Sequence, residues 1–178
     1  MQTHAARAEA LRITFPQGWT VRDLPAPVPA DAPVASATHR LATLPASDGG
    51  MEAGIDVMSF ASKTTLPPLP PQLEEMRNRE RLKRMATGVQ EQMRASAKVR
   101  GAGLSATCDD AGPFGIAGRP GSRMSCALRR GNQAVVRQVI VMWETPNGGY
   151  TVTYVARTEA FDANMPLFEQ ALASARVE

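Results

Sequence analysis

Two short turn signals constrain this chain more than anything else in it. Arg130–Gln133 (Arg-Gly-Asn-Gln) and Pro146–Gly149 (Pro-Asn-Gly-Gly) set Asn and Gly between runs of β-branched and aromatic residues. These residues tolerate the positive φ that tight hairpins need, so the segment reads as an antiparallel meander over Arg123–Arg130, Gln133–Glu144 and Tyr150–Arg157. Two-residue loops at Gly131-Asn132 and Asn147-Gly148 would set Leu128 opposite Val135, Met124 opposite Val139, Val141 opposite Tyr154 and Trp143 opposite Val152. All these side chains then share one face, because side chains alternate along a strand. Arg137 interrupts that face opposite Cys126, which predicts a bulge or a wet edge there.

The remaining elements agree with a mixed fold. Leu11, Ile13 and Phe15 alternate as a half-buried strand, Pro16–Gly18 turns the chain, and Trp19 is a candidate core plug. Pro25–Pro33 holds four prolines and reads as a surface excursion. Val34–Leu44 and Met51–Phe60 read as strands around a turn at Ser47–Gly50, with Ile55 and Val57 inward. Thr64–Pro71 is a stiff proline-rich spacer. From Gln72 to Lys98 the spacing is helical, with an apolar seam of Leu82, Met85, Ala86, Val89, Met93 and Ala97. Arg77, Arg81 and Arg84 fall opposite the seam, on what reads as a solvated face that an acidic partner or lipid headgroups could also meet. Phe161–Arg176 forms a closing helix with Asn164 as N-cap, Pro166 in the first turn, and Leu167, Phe168, Ala171, Leu172 and Ala175 as its buried stripe. Strands and helices without a βαβ rhythm predict an α+β domain: an antiparallel sheet of about six strands flanked by the long helix and the C-terminal helix. The expected organisation is a flexible tail at 1–9 and a single domain over 10–178.

Composition narrows the class. A net charge of +3 with no basic–aromatic stripe argues against nucleic acid. No apolar run is long enough to span a bilayer, and Met1–Ala10 has no signal-peptide core. Gln2–Ala6 would suit a mature N-terminus or a trimmed lipoprotein tether.

Cys108 and Cys126 are the only cysteines. If Leu104–Asp110 pairs with Arg123–Leu128 they lie opposite each other, which favours a disulfide and an oxidising compartment. Two reduced core thiols and a catalytic cysteine are the rival readings, the last weakened because His4 and His39 are the only candidate bases. No metal-ligand spacing is present.

The glycine-rich stretch Gly112–Gly121 has neither the Gly-Lys-Ser/Thr ending nor the following helix of a phosphate loop. It reads as a flexible hairpin loop or as an exposed recognition loop with Phe114, Arg119 and Arg123 as contacts. On the meander's other face lie Val136, Ile140, Met142 and Val155 beside Gln138, Arg123 and Arg157. Either the long helix covers them or they form an apolar patch with a basic rim. No Ser-His-acid set can be assembled, and a carboxylate hydrolase would need Glu52, Asp56 and Asp23 to converge.

The opening Ile13–Trp19 segment (Ile-Thr-Phe-Pro-Gln-Gly-Trp), followed by proline-rich link, long helix, meander with Tyr150–Tyr154 and closing helix, resembles the PsbP-like and DcrB-like proteins. The resemblance implies an antiparallel sheet flanked by helices and a non-enzymatic role without cofactor. Members include photosystem subunits, periplasmic proteins and lipoproteins, type VI secretion chaperones and immunity proteins. The expectation is therefore an exported, periplasmic binding protein, most concretely an immunity protein that neutralises a toxic effector. The alternatives are a periplasmic ligand- or lipid-binding envelope protein and a cytoplasmic secretion chaperone.

Overall fold

The computed structural model describes residues 11–64, 67, 69–100, 103–116, 118–145 and 147–177, without side chains for 98–100. The expected tail at 1–9 and part of the 64–71 spacer lie outside the described residues. The strands are β1 (Leu11–Arg12), β2 (Thr20–Leu24), β3 (Val34–Pro45), β4 (Met51–Ser62), β5 (Leu104–Cys108), β6 (Gly112–Ile116), β7 (Arg119–Arg130), β8 (Gln133–Thr145), β9 (Gly148–Arg157) and β10 (Arg176–Val177). The helices are α1 (Pro71–Arg100) and α2 (Thr158–Ala173). Eight strands form one antiparallel sheet in the order β2-β3-β4-β9-β8-β7-β5, with β6 beside β5 along the same edge of β7; β1 and β10 pair separately. The α+β expectation holds, with more strands than the six counted from sequence.

The meander forms, but its register differs. Arg130 pairs with Gln133 around Gly131-Asn132 as expected, and a bulge between Leu128 and Arg129 then leaves Val135 without a partner. Leu128 consequently meets Val136, and Met124 meets Ile140. One extra residue inverts every side chain beyond it. Met124, Cys126 and Leu128 therefore face away from Val139, Val141 and Trp143. At the second turn Thr145 pairs with Gly148, which slides the pairing by two residues from the expected register, so Val141 meets Val152 and Trp143 meets Tyr150. An even slip keeps the faces unchanged.

Two cores result, one on each face of the sheet. The larger lies beneath α2 and is built from Ile55, Val57, Val141, Trp143, Tyr150, Val152 and Tyr154 against Phe161, Phe168 and Leu172, with Trp19 as the expected plug. The smaller lies beneath α1, where Leu82 and Ala86 cover Met124, Cys126, Ile140 and Met142. The disulfide Cys108–Cys126 joins directly paired residues of β5 and β7, with 4.0 Å between their Cα atoms.

Two helix details depart from the sequence reading. Helix α2 starts at Thr158, so Asn164 is an interior residue that donates to Ala160 O (3.1 Å) and Glu52 Oε1 (3.3 Å), and Pro166 sits well past the first turn. The early start is anchored from outside the helix: Thr158 Oγ1 donates to Ala134 O, and Tyr154 OH donates to Phe161 O. In α1, Arg81 does not face solvent: its Nε lies 2.7 Å from Glu144 Oε2, with side-chain exposures of 20% and 6%.

Candidate interaction site

A concavity lies where the end of α2 passes the β6–β7 hairpin. A cleft of about 230 Å³ opens there, lined by Phe114, Gly115 and Ile116 of β6 and by Glu169, Leu172 and Ala173 of α2. The glycine-rich stretch is thus mostly strand, and its composition explains how it reaches this position. Phe114 stands opposite Gly121, which in turn stands opposite Trp143. A Cβ on Gly121 would lie 2.7 Å from Met142 O and 3.1 Å from Trp143 Cβ, so only glycine lets the three strands lie this close in that row. Ser122 Oγ donates to Gly112 O (3.1 Å) and holds the start of β6 against β7.

Arg123 forms the rim. Its guanidinium lies 5.3 Å from the centroid of the Phe114 ring, and Nη2 donates to Glu169 Oε1 at 2.7 Å. One arginine therefore ties hairpin to helix through a cation–π contact and an ion pair. A second such clasp holds the other end of α2: Arg137 lies 3.9 Å from the Phe161 centroid and pairs with Asp162. Between them, burial first and the Asp162 charge second push the Tyr154 hydroxyl up to about 12.

Of the contacts expected from sequence, the cleft brings together Phe114 and Arg123. Arg119 stands opposite Ile116 at the start of the hairpin and does not line the cleft. Val136 is half-buried opposite Leu128 and Arg157. Ile140 (2% exposed) and Met142 (0%) are sealed beneath α1, which corrects the reading of these two as a partner surface. The helix covers that face because the bulge at Val135 turns Met124 and Cys126 toward it as well. Glu169, Ile116 and Ala173 were not foreseen. A pair such as Arg123–Glu169, 46 residues apart, leaves no local periodicity to read.

The acids that a hydrolase would need stand apart. Asp56 accepts from His39 Nε2 (2.9 Å), Asp23 from Arg40, and Glu52 from Asn164. Both cysteines are consumed by the disulfide. Among the described residues no group of His, Cys, Asp or Glu is arranged to hold a metal ion, and no helix is long and apolar enough to cross a membrane.

A family model described as a domain of unknown function, DUF4946, matches residues 10–176. No curated protein matches the sequence. Among solved structures the chain is similar to cyanobacterial PsbP (CyanoP) from Synechocystis sp. PCC 6803, at 12% identity and a TM-score of 0.54 over 100% of this chain and 97% of that one. It is also similar to LpqN of Mycobacterium tuberculosis, involved in cell envelope biogenesis, at 12% identity and a TM-score of 0.45 over 98% of this chain and 87% of that one. The CyanoP likeness establishes a PsbP-like fold, as the Ile13–Trp19 resemblance implied.

Proposed function

This chain belongs to the DUF4946 family, a domain of unknown function, and on that premise we propose that it is a non-catalytic, exported binding protein that works by docking another protein. The observation that carries the reading is the β6–α2 cleft. It has a built rim of Phe114, Arg123 and Glu169, and the groups around it offer no nucleophile–base pair. Such a site can hold a group without transforming it.

The Cys108–Cys126 bridge supports an oxidising compartment, which favours the periplasm and weighs against a cytoplasmic secretion chaperone. In its most concrete form the proposal is an immunity protein that binds and neutralises a toxic effector, akin to exported DcrB-like proteins.

An affinity pull-down from fractionated native host cells tests this. The expected result is one stoichiometric effector-like protein recovered from the periplasmic fraction. Recovery of small molecules or lipid alone would refute a protein-docking role, and recovery only from cytoplasm would refute export.

A further inference from the structure

We propose that the free edge of β2 pairs with β2 of a second copy of this chain, antiparallel and with Val21 opposite Val21, so that two sheets join across a two-fold axis. The direction of each backbone group follows from the turn at Thr145–Gly148. Only two residues separate this pair, so its members bond each other, and backbone groups then alternate along every strand. Even-numbered residues of β9 bond β8 and odd-numbered ones bond β4, a parity that the bond from Ser62 N to Asn147 O (2.8 Å) shares. Asp56 and Met58 of β4 therefore bond β9, Ile55 and Val57 bond β3, and Leu41 and His39 of β3 are left to bond Arg22 and Leu24. Val21 and Asp23 thus turn both N–H and C=O away from the sheet, and no described strand lies beyond them.

The opposite edge is blunted. There the outward positions of β6 are Pro113 and Gly115, because Ile116 and Arg119 flank a two-residue turn, and proline has no N–H. That edge also breaks between β5 and β6, where Gln90 of α1 donates to Asp109 O (3.3 Å). β2 contains no proline, and Val21 at its middle is 45% exposed. An exposed apolar residue on an unpaired edge is a template for another strand.

The edge is complementary to itself. A two-fold axis normal to the sheet keeps the faces matched and pairs outward residues with outward residues, which leaves registers centred on Val21, Arg22 or Asp23. Centring on Arg22 sets Arg22 against Arg22, and like charges directly opposite destabilise. Centring on Asp23 repeats the fault with carboxylates and brings Pro25, without an N–H, opposite Val21. Centring on Val21 has neither defect. The two Val21 residues exchange N–H and C=O and bring their side chains together, Arg22 falls opposite Thr20, and Asp23 N–H reaches Trp19 O. The Trp19 N–H is already given to Pro16 O (3.4 Å), and each Asp23 carboxylate keeps its own Arg40 at 2.6 Å.

Stable interfaces bury about 1,200–2,000 Å² in total, more than two edges of 5 residues supply, so this dimer dissociates on dilution. The β6–α2 cleft lies beside the opposite edge of the sheet. A dimer therefore keeps both clefts open and holds a partner with a repeated binding site more tightly than one copy does. Pairing and docking are independent, and either can fail alone.

Sedimentation velocity of the full chain from about 1 µM to 1 mM tests the pairing. The mean mass is expected to climb from that of one chain toward that of two. Amide exchange of Val21 and Asp23, followed by NMR, should slow over the same range, while that of Gly115 should not. Val21→Pro removes an N–H that bonds nothing in the monomer, so the melting temperature of the dilute protein should hold while self-association weakens by about tenfold or more. Charge reads the register and keeps the strand free of proline. Val21→Glu and Val21→Lys should each stay monomeric alone, and an equimolar mixture should regain the dimer, because the axis sets position 21 opposite itself. A wild-type chain that stays monomeric throughout, or a dimer undiminished in Val21→Pro, would overturn the proposal. So would a Val21→Lys chain that dimerises by itself, since that places Asp23 opposite position 21.

Discussion

Replacing Arg81 with Met isolates an ion pair that joins α1 to the sheet beneath it. Glu144 is 6% exposed and lies 2.7 Å from Arg81 Nε. Burial pushes its carboxyl above the usual carboxylate range, against the pull of Arg81 and then Arg84. Without Arg81 the folded chain has two options. It can keep an unpaired buried carboxylate, which typically costs about 3–5 kcal/mol. Alternatively it can protonate Glu144. From an unfolded value near 4.3, at about 1.36 kcal/mol per pH unit, that route costs about 3.7 kcal/mol at pH 7 and about 1 kcal/mol at pH 5. The cheaper route limits the loss, and Arg84 lowers it further, so Arg81→Met should destabilise by roughly 2–4 kcal/mol at pH 7 and by about 1 kcal/mol at pH 5. The sign in the wild type follows from the same shift. A carboxyl whose folded value is raised contributes stability that is fully present below its unfolded value and is lost as pH rises through the folded value. Arg81→Met/Glu144→Leu removes both charges from the interior and should return to within about 1 kcal/mol of wild type. Urea unfolding of the four proteins at the two pH values measures all of this. A single-variant loss below 0.5 kcal/mol by order of magnitude, or one equal at both pH values, would refute the idea that burial of Glu144 governs this contact.

Other outcomes follow from the same structure. Reducing Cys108–Cys126, whose partners are 18 residues apart, should lower stability by about 3 kcal/mol in urea unfolding with and without reductant, and the native protein should show no thiol reactive to a disulfide reagent. Tyr154, raised to about 12, stays neutral in the fold while an unfolded tyrosine ionises near 10, so stability should fall as pH climbs from about 10 to 12; Tyr154→Phe should remove that limb of the pH–stability curve. A Cβ on Gly148 would stand 1.9 Å from Phe60 O, so Gly148→Ala should disrupt the β4–β9 pairing and drop the melting temperature sharply. Gly88 meets nothing within 4 Å on an exposed turn of α1, and Gly88→Ala should stabilise by about 1 kcal/mol in the same assay.

What could be read in the sequence was whatever repeats at short range. The seam of α1, the alternation of β4 and the Gly131-Asn132 turn each declare themselves within a few residues, and the fold class follows from them. The placement of both cysteines needed only one strand pairing and was correct. What could not be read depends on one residue or on contacts between distant segments. Val135 looks like any other β-branched residue of β8, yet its extra place in the ladder turns Met124 and Cys126 toward α1 and buries Ile140 and Met142 with them. The apolar patch expected there therefore becomes a second core. The same inversion turns Arg123 to the α2 face, where it meets Glu169 and Phe114. A single bulge thus closes one candidate surface and supplies the rim of the other. Deleting Val135 removes the extra residue but keeps every pair from Leu128–Val136 to Gly121–Trp143, so Arg123 should stay opposite Val141 and the Arg123–Glu169 clasp should survive; loss of that clasp in the deletion variant would refute this account of the bulge.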